Sequence, residues 1–274
     1  MDRVYFSYNH FQNALEGASF LGTPRAMSID QYTMGLEKTF RDGLWSCDLR
    51  MPFSGAYGYY APDLGASTGH FGNLAVTLKR RLYTTDTCLL AAGLGISTPT
   101  GSDGKGHVNG TPFVLHNDAV NLLPWVGFLS NRFDPLFLQG FLQVDVPLSG
   151  DRVALGNQIL GKYNEQTLMY LDLEMGYWLY RNRTGGLFTA MAAVLEFHYT
   201  TTLQNTDLVA GSSGASSLSV VNVHNRMDVV NMTIGLHTEI TELTHLGIGG
   251  VIPLDTKPNR FFDGEVQIFL NRNY

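Results

Sequence analysis

Thirteen side chains that can carry charge, exchange a proton or make paired hydrogen bonds recur on one parity of an extended, alternating pattern: Asp48, Arg50, Lys79, Arg81, Gln139, Gln143, Asp145, Asp172, Glu174, Glu196, His198, His237 and Glu265. Two spacings among them invite a chemical reading. Glu196-Phe-His198 and Asp172-Leu-Glu174 each set two polar groups on one face of a strand, about 7 Å apart, which suits metal ligation once a third donor joins them. The sequence places no third donor, and an internal hydrogen-bonded network accounts for the same residues. No metal and no cofactor are expected. The stretch TGSDGKGHVNG, residues 100 to 110, is glycine-rich but lacks the GxxxxGK[ST] order and the following helix of a phosphate cradle, so it reads as a surface loop.

The elements that must hold these residues are strands. In YTMGLEKTFRDGLWSCDLRMPF, residues 32 to 53, almost every second residue is apolar on both sides of the turn Arg41, Asp42 and Gly43. Trp45 and Leu49 fall on the apolar parity, opposite Asp48 and Arg50. The same opposition sets Leu74, Val76 and Leu78 against Lys79, sets Leu171, Leu173 and Met175 against Asp172 and Glu174, and sets Leu195 and Phe197 against Glu196 and His198. A period of two over runs of about ten residues argues for strands longer than the usual five or six. Nine to eleven residues is roughly the length a tilted strand needs to cross a bilayer.

Composition narrows the class. The chain has 274 residues, 44% of them hydrophobic, 15% charged and 12% aromatic, with a net charge of −6. Charge is scarce against the roughly 25% of a typical soluble domain. No basic stripe offers the footprint that nucleic acid requires, so no nucleic-acid partner is expected. No run of eighteen apolar residues marks a membrane helix. The opening MDRVYFSYNHF has no basic leader and no cleavage site, so a secretory signal is expected to have been removed or truncated. Cys47 and Cys88, both in strand patterns, are too few for a disulfide framework or a zinc site and read as packing residues.

Walking the chain gives about twelve strands whose connectors alternate strictly between long and short, the signature of a barrel with short periplasmic turns on one rim and long extracellular loops on the other. Long connectors are expected near 13 to 29, 54 to 70, 98 to 112, 147 to 166, 201 to 225 and 255 to 262. In hydrocarbon every backbone amide must be paired, so such a sheet must close on itself. The expectation is therefore all-β: one closed antiparallel transmembrane barrel over residues 1 to 274, apolar parity toward lipid and polar parity toward the lumen. Aromatic residues near strand ends, Tyr32, Phe40, Trp45, Phe53, Tyr83 and Tyr199, read as interfacial girdles. The lumen charges either pair and plug the interior or line an aqueous path. In the second case the acidic surplus between residues 136 and 200 favours cations or neutral solutes. A Ser-His-Asn hydrolase group would need a histidine and a serine on the apolar face near the long-loop rim. His245 is the only histidine placed near that parity, beside a short turn and without a serine, so no enzyme is expected.

FGNLAVTLKRRLYTTDTCLLAAGLGISTPTG, residues 71 to 101, and HLGIGGVIPLDTKPNRFFDGEVQIFLNRNY, residues 245 to 274, carry a family resemblance. The first resembles the glycine, strand, short turn, strand, Pro-Thr-Gly pattern of the outer-membrane proteins described as "MetA-pathway of phenol degradation", remotely similar to FadL-type channels. The second resembles the closing strands of such a barrel, with Tyr274 as the terminal aromatic signal for the barrel-assembly machinery; Arg272 departs from the apolar residue common there. The resemblance implies a bacterial outer-membrane location, a lipid bilayer and that machinery as partners, and passive passage of a small, hydrophobic or aromatic solute. It brings no catalytic residue. The alternatives are a structural or surface-recognition barrel with a plugged lumen and, less favoured, an outer-membrane lipid hydrolase.

Overall fold

A computed structural model describes residues 2–17, 25–55, 70–182, 188–221 and 226–274. No described residue is helical. Among the described residues there are nineteen strands: β1 (Arg3–Gly17), β2 (Arg25–Phe40), β3 (Trp45–Gly55), β4 (His70–Phe71), β5 (Leu74–Thr84), β6 (Cys88–Thr98), β7 (Gly104–Val108), β8 (Thr111–Leu115), β9 (Asn121–Phe133), β10 (Leu136–Pro147), β11 (Asp151–Leu155), β12 (Gln158–Tyr163), β13 (Thr167–Arg181), β14 (Ala190–Gln204), β15 (Val209–Ser213), β16 (Ser216–Val220), β17 (Asp228–Thr241), β18 (Thr244–Pro253) and β19 (Gly264–Asn273).

Twelve of them close an antiparallel barrel in the order β2-β1-β19-β18-β17-β14-β13-β10-β9-β6-β5-β3, with β3 pairing back onto β2. The seam is a ladder from Arg3↔Asn273 to Gln12↔Gly264, and the Tyr274 amide donates to the Asp2 carbonyl at 2.9 Å. Closure leaves no open edge among these strands, which is the condition for crossing hydrocarbon. The expected hairpin turn is present: Arg41, Asp42 and Gly43 have φ of 52°, 56° and 73°, and the Leu44 amide donates to the Arg41 carbonyl at 3.0 Å. The expected long connector at 13 to 29 is shorter than read from the sequence, since residues 13–17 extend β1 and 25–29 extend β2 and only 18–24 lie outside the described residues; that at 54 to 70 falls largely on 56–69, outside them as well. Residues 183–187 and 222–225 are outside them too.

Alternation along each strand sorts the side chains. On the outer face Val76, Leu78, Leu94, Leu173, Met175 and Phe197 are exposed, and Trp45, Leu49, Leu74, Leu171 and Leu195 are partly exposed on the same parity. On the inner face Ala75, Asp48, Glu37, Thr233 and Glu265 are buried. The inside is polar and the outside apolar, an inversion of a soluble protein, whose exposed apolar patches rarely exceed a few hundred Å². Near the long-loop rim Tyr32 stacks on Phe53 with centroids 5.4 Å apart and meets Tyr8 at 5.1 Å. At the other rim Arg80 lies over Trp45, 5.2 Å from the ring centroid, near exposed Tyr83, Phe133, Tyr180 and Tyr274. Cys47 corrects an expectation: it is no packing residue but an exposed free thiol on the outer face, because it shares parity with Trp45 and Leu49.

Three stretches read as loops contain strands. β7 and β8 turn at Asn109 and Gly110, with φ of 49° and 78°, the Asn-Gly hairpin signal within the stretch weighed as a phosphate cradle. β12, β11, β8 and β7 form a four-stranded sheet, and β15 pairs with β16. The two join where the Thr111 and Ser216 hydroxyls meet at 2.8 Å and Ser216 Oγ donates to the Val108 carbonyl at 3.0 Å. The result is a cap on the long-loop side with an apolar centre of Val153, Leu155 and Val209, the first two at 0% exposure. Removing a buried leucine side chain costs about 2 to 5 kcal/mol. Leu155→Ala should therefore open the cap to limited proteolysis between residues 104 and 163 while the barrel keeps its resistance to heat in detergent.

Candidate functional site

The barrel interior is built by odd residues of β1, β2, β5, β6, β9, β10, β17, β18 and β19 and by even residues of β3, β13 and β14, and its polar groups gather in three places. On the wall formed by β1, β2, β3 and β5, Glu37 accepts from Arg3 Nε at 2.7 Å, Ser46 Oγ at 2.5 Å and Lys79 Nζ at 3.1 Å. Lys79 Nζ also lies 3.3 Å from Asp48 Oδ2, and Tyr5 donates its hydroxyl to Asp48 at 3.1 Å. Arg50 shares this face and is exposed. Arg81 does not join the cluster, since it sits at the short-turn rim, exposed, with its guanidinium 3.5 Å from the Asp42 carbonyl.

The second group stands on the opposite wall, for β3 and β14 are six strands apart in either direction around the ring. His198 spans Asp172 through Nδ1 at 2.8 Å and Thr233 through Nε2 at 2.7 Å, with Glu196 3.6 Å from Nε2. Gln139 donates to Glu174 at 2.6 Å, and Glu265 accepts from Asn9 at 2.6 Å and Gln267 at 3.1 Å. Gln143 and Asp145 lie farther along β10, toward the long-loop rim. The third group, His237 with Glu239 and His245, lies at the short-turn end of β17 and β18.

Two cavities occupy the space between these walls, of about 670 Å³ and about 480 Å³, sharing Leu129, Gln139, Glu174 and Glu196 in their linings. The larger is bounded by Arg3, Glu37 and Lys79 on one side and by Asp172, Glu174 and Glu196 on the other. Each cavity also has an aromatic surface. Trp125 and Phe141 line the larger with centroids 5.5 Å apart, and Phe137 and Trp178 line the smaller at 5.4 Å. Glycines make room for them. A Cβ on Gly176 would stand 1.9 Å from the Phe137 ring facing it across the ladder, and one on Gly93 would stand 2.5 Å from Trp125 Nε1. The interior therefore combines flat apolar surfaces with fixed charges.

That architecture has counterparts. The barrel is similar to known channels of the outer membrane. An outer membrane channel from Pseudomonas putida F1 superposes with a TM-score of 0.68 at 11% identity, covering 100% of this chain and 95% of that one. A deltaS2 mutant of the TodX monoaromatic hydrocarbon channel gives 0.53 at 10% identity over 100% and 90%, and the NanC porin 0.52 at 7% over 100% and 99%. At such identities the likeness is one of fold. No family model matches the chain, and no curated protein does, so the resemblance of residues 71 to 101 and 245 to 274 stands on those residues alone.

Two histidines correct the reading of the outer face. His245 points inward, opposite Glu239 on β17, rather than toward the apolar parity. His10 points outward near the long-loop rim, its Nδ1 2.7 Å from Asp30, which also accepts the Tyr8 hydroxyl at 2.8 Å. Ser28 shares the parity of Asp30, but its Oγ accepts the Asn13 amide at 3.4 Å, and no serine bonds His10 among the described residues. A nucleophile in contact with its base is thus missing from the described outer face. Missed in the sequence were Arg3, Tyr5, Asn9, Glu37 and Thr233 and the inner aromatics Trp125 and Trp178; parity was the signal that could have found them, since each lies on the inner face of its strand.

Proposed function

We propose that this chain is a bacterial outer-membrane channel through which small hydrophobic or aromatic compounds pass passively, and that it is not an enzyme. The observation that carries the reading is the inversion of the barrel: an exposed apolar exterior around a polar interior that holds two adjoining cavities. An apolar exterior needs a lipid bilayer as its partner, and reaching it requires the barrel-assembly machinery. The cavity volumes fall in the range of small-molecule sites, roughly 300 to 1,000 Å³. The paired aromatic rings offer faces for a planar apolar solute, which is why the aromatic class is preferred. That a fold relative is described as a monoaromatic hydrocarbon channel agrees with this class.

Conductance of the refolded chain in a planar bilayer, with and without phenol, tests the proposal. Steady ion current that phenol blocks is the expected result. Glu196→Gln should then lower the preference for cations by removing one carboxylate from the boundary the two cavities share, read as a reversal potential shifted toward zero in a salt gradient. An inserted but silent barrel would overturn the channel and favour the second reading, a surface-recognition barrel, which the folded cap with its own apolar centre supports.

A further inference from the structure

The hairpin of β17 and β18 holds a constellation that passage of an apolar solute does not explain. Glu239 and His245 are directly paired across the ladder, and His237 stands two residues before Glu239 on the same inner face, paired with Gly247. Three donors, two imidazoles and one carboxylate, therefore converge from two strands joined by a tight turn. Their ligand atoms all lie within 4.8 Å of one another. We propose that His237, Glu239 and His245 bind a divalent transition cation of the Zn²⁺ type at the short-turn mouth of the barrel.

Ligand chemistry and geometry both favour such an ion. Calcium and magnesium are held by oxygen donors, whereas two histidines with one carboxylate are a zinc set, which leaves a fourth position open to water. With metal–nitrogen bonds near 2.1 Å, two imidazoles at a tetrahedral angle place their ring centroids about 5.3 Å apart. The His237 and His245 rings are 5.7 Å apart and inclined at 25°. The three donors have to close to about 3.4 Å of one another to share one ion, a movement the two-carbon arm of Glu239 can supply. Gly247 leaves space beside His237, for a Cβ there would meet only the Phe269 Cβ, at 3.7 Å.

The surroundings hold the ligands in place. The Asn273 side-chain amide lies 3.3 Å from His245 Nε2; with its oxygen turned toward the ring it accepts the Nε2 proton and leaves Nδ1 as the donor to metal, the usual support of a ligating histidine. The edge of Trp178 meets His237 at 6.2 Å and 78°. The Glu239 carbonyl accepts both the amide and the hydroxyl of Thr189, at 2.8 and 3.1 Å, which ties this end of β17 to the turn beside it. His237 and Glu239 line the smaller cavity, so the open coordination position faces the interior.

A second cluster of three donors, Asp172, Glu196 and His198, serves as the internal control. There both imidazole nitrogens already have partners, Asp172 and Thr233, whereas neither nitrogen of His237 is hydrogen-bonded among the described residues. Metal should prefer the mouth.

Calorimetric titration of the refolded, chelator-stripped full chain with Zn²⁺, together with the visible absorption of bound Co²⁺, decides the matter. The expected result is one tight site, abolished in His245→Ala and in Glu239→Gln, weakened about tenfold in Asn273→Ala, and unchanged in His198→Ala. Variants are compared only where the folded barrel keeps its heat-modifiable mobility, and Glu239→Gln, which keeps the side-chain shape, guards against loss of fold. No binding to the parent chain, binding that survives both mouth substitutions, or binding lost in His198→Ala would each overturn the proposal. None of these readouts depends on conduction, so a silent barrel that binds Zn²⁺ would end the channel reading and leave this one standing.

Discussion

Arginine placed at both Leu173 and Val76 should leave most of the chain unassembled in membranes, while arginine at Gln143 on the inner face should not. Leu173 lies at the middle of the fifteen-residue β13 and is 47% exposed, and Val76 is 45% exposed on β5. If those surfaces face hydrocarbon, each arginine costs about 2 to 4 kcal/mol, depending on its depth. β5 and β13 are four strands apart in the ring, so the two costs should add. Their sum, about 4 to 8 kcal/mol, rivals the whole stability of an ordinary domain. The measurement is the fraction of membrane-inserted protein that runs as a compact barrel before heating. Normal assembly of the double variant would mean that the exposed apolar parity does not meet lipid, and the channel reading would fall with it.

That argument rests on alternation, the part of the structure most legible in the sequence. A strand buries one side chain in two, so wherever the two faces meet different surroundings the difference is written at every second residue, and the runs around Leu74 to Lys79 and Leu171 to Glu174 needed no tertiary information. Parity is lost where the ladder slips. The register shifts between Glu239 and Thr241, and a bulge of this kind moves following residues to the other face. Counting outward from β17 or β18 alone therefore could not show that His245 shares an interior with His237. The cap was hidden for another reason. Its strands are five or six residues long, too short for a period to stand out among glycine and serine, and its Asn109-Gly110 turn lies in a glycine-rich stretch that reads as a surface loop.

Pairing across the barrel was not legible at all. Arg3 and Glu37 are neighbours because β1 and β2 share a register, and Glu37 reaches Lys79 from β2 across β3; nothing local in the chain records either contact. The inner aromatics were hidden by the opposite effect. Trp125 and Trp178 look apolar and so resemble outer-face residues, but the missing side chain of Gly93 gives Trp125 a flat seat inside the barrel, as that of Gly176 does for Phe137.

Lys79→Met should destabilise the barrel by about 2 to 4 kcal/mol and make the interior more selective for cations. The Lys79 side chain is 20% exposed, and the two carboxylates it meets are at 11% and 6%, so their charges are largely withdrawn from water. Removing one partner of such a cluster leaves a charge in place without its counter-ion, which is where the cost arises. Glu37 keeps Arg3 and Ser46, whereas Asp48 keeps only the Tyr5 hydroxyl among the partners described above. The penalty should therefore fall mostly on Asp48, and Lys79→Met combined with Asp48→Asn should recover about 1 to 3 kcal/mol relative to the sum of the two single changes. Urea unfolding in lipid vesicles measures that coupling. Conduction gives a separate sign: the single variant leaves Glu37 and Asp48 on the wall facing Asp172, Glu174 and Glu196 with one cation fewer between them, so its reversal potential in a salt gradient should move toward the cation limit, and the double variant should move it back. Strictly additive losses would show that Lys79 and Asp48 act independently, and an unmoved reversal potential would show that this wall does not face the conducting path.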